Sequence, residues 1–157
     1  MTAQMKIREF RIGDEPDLHK VFLSAIHEVA IRDYSPEQVA AWAPSSLDPD
    51  LWANRMRGIA PFVVEHEGKP IAYADVQPSG YIDHFFVSGP FVRKGVGSQL
   101  MTRIHDEAAL KGIRLLTSDV SLTAQPFFRH WGFSIVEERQ AGMRGVVVPN
   151  ARMKKEL

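Results

Sequence analysis

The most constraining feature of the sequence is a strand, loop, helix and strand in succession at its centre. Tyr81 to Val87 is strongly apolar, Ser88-Gly89-Pro90 turns the chain, and Gly95 and Gly97 open a helix that continues to Lys111. Along that helix Leu100, Ile104 and Ala108 sit four apart with Arg103, Asp106, Glu107 and Lys111 between them, which gives one apolar stripe, and Gly112 supplies the C-terminal stop. Ile113 to Val120 then reads as a buried strand. A strand that returns through a helix to a neighbouring strand is a crossover, so the chain must build a sheet with a helix packed on its face.

The flanking segments fill in the rest. Lys6 to Phe10 alternates apolar and charged residues as a first strand does, and Gly13-Asp14-Glu15-Pro16 starts a helix with Leu18, Val21, Phe22, Ala25, Ile26 and Val29 on one stripe. Ser35-Pro36-Glu37 starts a second helix that ends near Pro44, and Asp50 to Arg57 forms a short third. From Pro61 the period changes: Phe62 to Glu67 and Pro70 to Gln77 form a hairpin about Gly68-Lys69, and Pro78-Ser79-Gly80 leads into the Tyr81 to Val87 strand. After the crossover, Thr123 caps a short helix through Trp131 that stops at Gly132, with Phe133 folding back. Strands at Ser134 to Gln140 and Met143 to Val148, joined at Ala141-Gly142, complete one α/β domain over residues 1–157 with a mixed, mostly antiparallel sheet.

Composition removes several classes of function. Nineteen basic residues balance nineteen acidic ones, which argues against an extended nucleic-acid surface but not against one local anion site. The absence of cysteine excludes disulfides, zinc-thiolate and iron-sulfur sites and an acyl-cysteine intermediate. No uncharged run approaches the roughly 18 residues of a membrane helix, and Met1 to Glu15 lacks the apolar core of a secretory leader, so a cytoplasmic protein is expected. The six histidines show no metal-ligand spacing, and no metal is expected.

The chemistry is expected around Val87 to Leu100. The first turn of the long helix carries unpaired amides and the positive end of the helix dipole, Gly95 and Gly97 allow close approach to the backbone, and Arg93 and Lys94 add positive charge. A Gly-X-Gly also makes a tight helix start with no ligand. The spacing is not that of a P-loop, which needs Gly-Lys followed by Ser or Thr. The dinucleotide fingerprint is half met by Gly95 and Gly97, but Leu100 stands in place of the third glycine and seven residues separate Val87 from Gly95.

At these residues the sequence resembles the GNAT superfamily of N-acetyltransferases, whose acyl-coenzyme A loop reads Gln or Arg, two residues, Gly, one residue, Gly or Ala. Gly95, Val96 and Gly97 match, and Val92 stands where the family prefers Gln or Arg. A second block, Ser121, Ala124, Phe128, Gly132 and Phe133, keeps the spacing of the family's Asn or Ser, Ala, Tyr and Gly-Phe, with Phe128 in place of Tyr. The resemblance implies acetyl-CoA as co-substrate. Its pyrophosphate would lie on the amides of Val92, Arg93, Lys94, Gly95, Val96, Gly97 and Ser98. Its pantetheine would lie between the strand ending Phe85-Phe86-Val87, splayed from the strand at Leu115 to Thr117, and Ser121, Phe127 and Phe128.

The same resemblance implies attack of a small-molecule or peptide primary amine on the thioester. Asp83, on the strand leading to the thioester site, is the expected general base, directly or through water, with Tyr81 as an alternative proton carrier. Alternation along the strand puts Tyr81, Asp83, Phe85 and Val87 on one face and His84 on the other. Tyr73 is a further proton carrier to consider, His84 and His130 read as structural, and Trp42, Trp52 and Tyr34 read either as the lining of an acceptor pocket or as core. Neither nucleic acid nor membrane is an expected partner, and the resemblance is compatible with a homodimer. Two alternatives stay open: an acyl-CoA-binding module that lost catalysis with its Tyr, and a nicotinamide-dependent oxidoreductase.

Overall fold

The computed structural model describes residues 5–157. Met1 to Gln4, part of the stretch that lacks a leader's apolar core, lie outside the described residues. The elements in order are β1 (Met5–Glu9), α1 (Glu15–Ser24), α2 (Pro36–Trp42), α3 (Pro49–Ile59), β2 (Phe62–His66), β3 (Lys69–Ala74), β4 (Tyr81–Ile82), β5 (Phe85–Val87), α4 (Val96–Lys111), β6 (Leu115–Ser121), α5 (Gln125–His130), β7 (Ser134–Met143) and β8 (Val146–Glu156). A π-helical turn at Ala25–Val29 and a 3-10 turn at Ala30–Arg32 continue α1. The architecture is the expected mixed α/β fold.

Two four-stranded sheets form, ordered β1-β2-β3-β5 and β4-β6-β8-β7. Every pairing is antiparallel except β4 with β6. Alternation along β2 and β3 divides the interior in two. Val64, Ala72 and Ala74 face α4, whose stripe of Val96, Leu100, Met101, Ile104 and Ala108 is buried, and Val63 and Tyr73 face the helices before the first hairpin. Those helices are locked by polar contacts as well. Ser35 caps α2 reciprocally with Gln38, and the Trp52 indole on α3 donates to the Glu15 carbonyl of α1 at 2.8 Å.

The strand expected from Tyr81 to Val87 is broken, and the break organises the molecule. Gln77 N–H donates to Tyr81 O and Asp75 N–H to His84 O, so Val76 alone faces the two residues Ile82 and Asp83. This one-residue bulge turns the first half, β4, onto β6 and leaves the second half, β5, on β3. The amides of Asp83 and His84, which the bulge frees from the ladder, both donate to Oδ1 of Asp75, at 3.0 and 2.6 Å. The Asp75 side chain is 1% exposed, and its other oxygen accepts from the Gln77 amide. Burial pushes this carboxyl up to about 6, against the downward pull of the main-chain N–H of His84 and the Gln77 amide, so it is ionised and a pure acceptor at neutral pH.

Three further expectations are corrected. The hairpin turns fall at Glu67-Gly68 and Arg144-Gly145, each a pair of left-handed residues with glycine second, so Gly68-Lys69 and Ala141-Gly142 are not the turns. The last strand does not stop at Val148 but runs to Glu156, between β6 and β7, with Ala151 and Met153 inward and Arg152 and Lys154 outward. Finally, α5 takes Ala124 rather than Thr123 as its N-cap, because Ser121 Oγ accepts the Ala124 N–H. The stop at Gly132-Phe133 forms as expected, with Phe133 N–H on Phe128 O at 3.0 Å.

Replacing Asp75 tests the origin of the bulge. Asp75→Ala leaves two buried amides without an acceptor and should lower the denaturant-derived stability by about 2 to 4 kcal/mol, whereas Asp75→Asn, which keeps one acceptor oxygen, should lose about half as much. Equal, small losses in both variants would show that the bulge does not depend on this carboxylate.

Candidate active site

The bulge makes a gap. β4 pairs with β6 only at Tyr81–Thr117 and Ile82–Ser118, and Ser118 Oγ donates to Ile82 O at 2.8 Å where the pairing ends. Beyond this point β5 stays with β3, and among the described residues Asp119 to Ser121 of β6 have no strand on that side. The splay therefore opens beside Asp119–Ser121, past the Leu115 to Thr117 stretch where it was expected.

The wall of the gap is main chain. Hydrogen bonds from β3 reach His84 O and, in the other direction, Ile71 O receives Ser88 N–H at 2.9 Å, so the bonded positions along β5 fall on His84, Phe86 and Ser88. The N–H and C=O groups of Phe85 and Val87 consequently point away from β3, toward the gap, and pair with no protein group among the described residues. Phe86 differs from its neighbours, since its main chain serves β3 and its ring packs on the other side among Phe22, Trp42, Tyr73 and His84.

At one end the gap meets the start of α4. Gly95, the N-cap, sits at φ +81° with no side-chain cap, a conformation open to glycine at little cost. The first helical bond is Gln99 N–H to Gly95 O, so the amides of Arg93, Lys94, Gly95, Val96, Gly97 and Ser98 donate to no group among the described residues. Arg93, at φ +61°, turns the loop just before them. Val92, in extended conformation, follows the 3-10 turn Gly89–Phe91, and Ser24 Oγ ties that turn to α1 by accepting Gly89 N–H at 2.9 Å. Gly97 matters for another reason: a Cβ there would meet the Phe127 ring at 3.2 Å. Phe127 in turn stacks at 5.5 Å on Phe85, which also meets the buried Phe128 edge-on, so these three rings line the apolar side of the gap.

On the other side lies a cavity of about 590 Å³. Tyr81, Asp83, His84 and Phe86 form one wall, Trp42, Trp52 and Tyr34 another, and Ser121 stands at the seam between cavity and gap. The bulge changes which residues share this face: His84 and Phe86 join Tyr81 and Asp83, while Phe85 and Val87 turn to the α4 side. His84 therefore does not point away from Asp83, as strict alternation would have it. Trp42, Trp52 and Tyr34 do line the cavity, and Tyr34 Oη also braces β8 and β6 by donating to Pro149 O at 2.6 Å and accepting Leu122 N–H at 2.8 Å.

The titratable groups here are sorted by environment. Burial raises the Asp83 carboxyl above its usual range while Arg55 opposes that rise. Asp119 is pushed up by burial, but Arg152 at 3.1 Å and Arg139 at 2.7 Å hold it below its usual value. Tyr81 donates to Asp119 at 3.2 Å, and burial together with that charge pushes its phenol up to about 12. Burial lowers His84 to about 3. Its Nδ1 lies 3.0 Å from Oη of the fully buried Tyr73, whose phenol is held protonated, so Tyr73 donates to Nδ1 and cannot itself reach the cavity. His130 is exposed on α5, away from this cavity. Among the described residues no three potential metal ligands come together, and no helix is long and apolar enough to cross a membrane.

Comparison with known proteins identifies the family. An acetyltransferase (GNAT) domain model matches residues 30–157. The chain belongs to the GNAT family. The N-acetyltransferase YafP of Escherichia coli (strain K12) is 31% identical over 150 residues, 96% of this chain and 95% of that protein. A GCN5-related N-acetyltransferase from Rhodopseudomonas palustris has a TM-score of 0.93 at 26% identity, covering 100% of this chain and 98% of the other. The yncA acetyltransferase of Salmonella typhimurium, solved with its cofactor acetyl-CoA, shares the fold with a TM-score of 0.71 at 20% identity, over 99% of this chain and 95% of its own. As a GNAT N-acetyltransferase the protein is an acyltransferase, and the nicotinamide-dependent oxidoreductase alternative is set aside.

Sequence reasoning passed over Asp75, although a carboxylate following the apolar run Ile71 to Ala74 was itself a signal that a buried acceptor was needed. It also passed over Arg55, Arg139 and Arg144, whose convergence is purely tertiary.

The state of His84 is testable through pH. Its folded value is depressed from 6.5 to about 3, so below pH 6.5 the unfolded chain gains a proton that the fold refuses, and stability falls as the pH drops. Asp75, raised from 3.8 to about 6, acts oppositely between those values, which makes the comparison with a variant necessary. Between pH 7 and 4.5, His84→Gln should lose about 2 kcal/mol less stability than the parent in denaturant titrations. Parallel curves would show that His84 is not held neutral.

Proposed function

We propose that this acetyltransferase moves an acetyl group from acetyl-CoA to a primary amine of a small molecule or peptide by direct attack within a ternary complex. The observation that carries this reading is the gap at β5, where the free main-chain groups of Phe85 and Val87 run continuously from the uncapped start of α4 to the cavity holding Asp83. The donor set suits the co-substrate: six free amides with Arg93 and Lys94 match a pyrophosphate, and a strip of unpaired main chain flanked by Phe85, Phe127 and Phe128 matches an amide-containing, largely apolar arm.

Acetyl-CoA would supply an activated acyl thioester. Val87 N–H, fixed on a paired strand and aimed into the gap, is the donor for the charge that develops on the thioester oxygen. Asp83 takes the proton of the incoming amine directly or through water. An amine with a pKa near 10.4 reaches its neutral form at pH 7 at a cost of about 4.6 kcal/mol, and Asp83, whose carboxyl burial raises, then receives the proton that the nitrogen sheds as it bonds to the acyl carbon. As nitrogen bonds to the acyl carbon the carbon–sulfur bond breaks. Phe128 offers no proton to the sulfur, but a thiol of pKa about 8.5 leaves as thiolate at pH 7 for only about 2 kcal/mol relative to the protonated product. Tyr81, protonated and bonded to Asp119, serves as a polar wall and an alternative proton carrier.

Release of free thiol from acetyl-CoA across a panel of amines and peptides tests the activity. Asp83→Asn should lower kcat at neutral pH by about 10²-fold or more, with partial recovery at higher pH as the amine deprotonates unaided. An unchanged pH profile would remove Asp83 as base. Gly97→Asp, which puts bulk against Phe127 and negative charge beside the free amides, should abolish acetyl-CoA binding in calorimetry, and unchanged affinity would refute the loop assignment. Tight acetyl-CoA binding with no turnover on any amine would favour the non-catalytic acyl-CoA-binding module.

A further inference from the structure

The cavity beside Asp83 is more positive than the chain that forms it. The sequence is neutral overall, yet Arg55 from α3, Arg139 from β7 and Arg144 from the β7–β8 turn line the same cavity as Asp83 and Asp119. Arg139 is engaged with Asp119, which Arg152 also neutralises. Arg55 and Arg144 have no carboxylate within ion-pair distance among the described residues. Arg55 stands near enough to Asp83 to oppose the rise of its pKa, and that one carboxylate becomes neutral when it receives the amine's proton.

Arg144 is also held in place. It occupies the first turn position at φ +48°, where Asn, Asp or Gly is ordinarily found. Its guanidinium Nη1 donates to Ala41 O near the end of α2 at 2.7 Å, which fixes it at the rim and leaves its remaining donors free. Between these cations the cavity is lined by Phe22, Tyr34, Trp42 and Phe86. A polyamine would bring positive charge to a cavity already carrying an excess of it. A guanidinium fork fits a carboxylate or phosphate, and the rings fit an apolar body.

We propose that the acceptor is an amine that also bears an anionic group, a carboxylate on an aromatic or branched apolar body in the manner of an amino acid, with Arg55 and Arg144 receiving the anion and Asp83 facing the amine. This rests on the acetyltransferase reading of the cavity and adds the charge of the substrate to it.

The test uses matched amines on the full chain with acetyl-CoA: L-phenylalanine, L-phenylalaninamide, which has the same ring and amine without the carboxylate, and spermidine. L-phenylalanine should exceed its amide by about tenfold or more in kcat/KM, with spermidine lowest, and Arg55→Gln and Arg144→Gln should each shrink the ratio between the first two several-fold. Equal rates for the pair, a preference for spermidine, or an unchanged ratio in both variants would overturn the proposal. If acetyl-CoA binds and no amine reacts, the catalytic reading has failed separately. Calorimetry with N-acetyl-L-phenylalanine and its amide then decides the charge preference. Binding of the acid that weakens in Arg55→Gln and Arg144→Gln supports it, and no preference for the acid, including no binding of either compound, overturns it.

Discussion

Asp75 follows an apolar run on β3, and its buried carboxylate accepts the main-chain N–H groups of Asp83 and His84. Both the gap and the cavity depend on that interaction. A strand crossing from one sheet to another must leave some amides without a partner at the crossing, and an unpaired buried amide is expensive. Supplying one oxygen for both lets the chain leave β6 at Ile82 and join β3 at Phe85 without that penalty. The result is a stable opening in an otherwise continuous surface, with main-chain groups of Phe85 and Val87 facing into it.

The same residue insertion decides which side chains meet. Because Val76 faces both Ile82 and Asp83, alternation restarts, and Asp83, His84 and Phe86 look into the cavity while Phe85 turns to Phe127 and Phe128. One bulge thus separates an aromatic channel under α4 from a charged and aromatic cavity under α1 to α3. The buried Phe128 belongs to the first of these. With no hydroxyl there, the proposed reaction places its proton transfer on the cavity side, at Asp83.

What was legible in the sequence was local. The α4 stripe, its Gly95-Val96-Gly97 start, the Gly132-Phe133 stop and the helix start at Ser35-Pro36 are written in residues within a few positions of one another, and each forms as read. The bulge was not legible because its cause, Asp75, acts across the sheet, and the apolar run from Tyr81 to Val87 reads the same whether broken or whole. The continuation of the final strand past Val148 was not read because Pro149 and the charges after it look like a tail, although Ala151 and Met153 alternate inward along it. Two hairpin turns were misplaced because Glu67 and Arg144 adopt left-handed conformations that their side chains do not advertise. The arginines of the cavity come from α3, β7 and a turn, and only the folded chain brings them together.

In the proposed complex the free amides of β5 and of the α4 start form one continuous binding surface for the acyl thioester. Amide hydrogen exchange resolved by NMR, with and without saturating acetyl-CoA, addresses it residue by residue. Phe85, Val87, Val96, Gly97 and Ser98 should all gain protection together, since each donates to no group among the described residues. Protection confined to the α4 start, with Phe85 and Val87 exchanging at their unliganded rates, would contradict it.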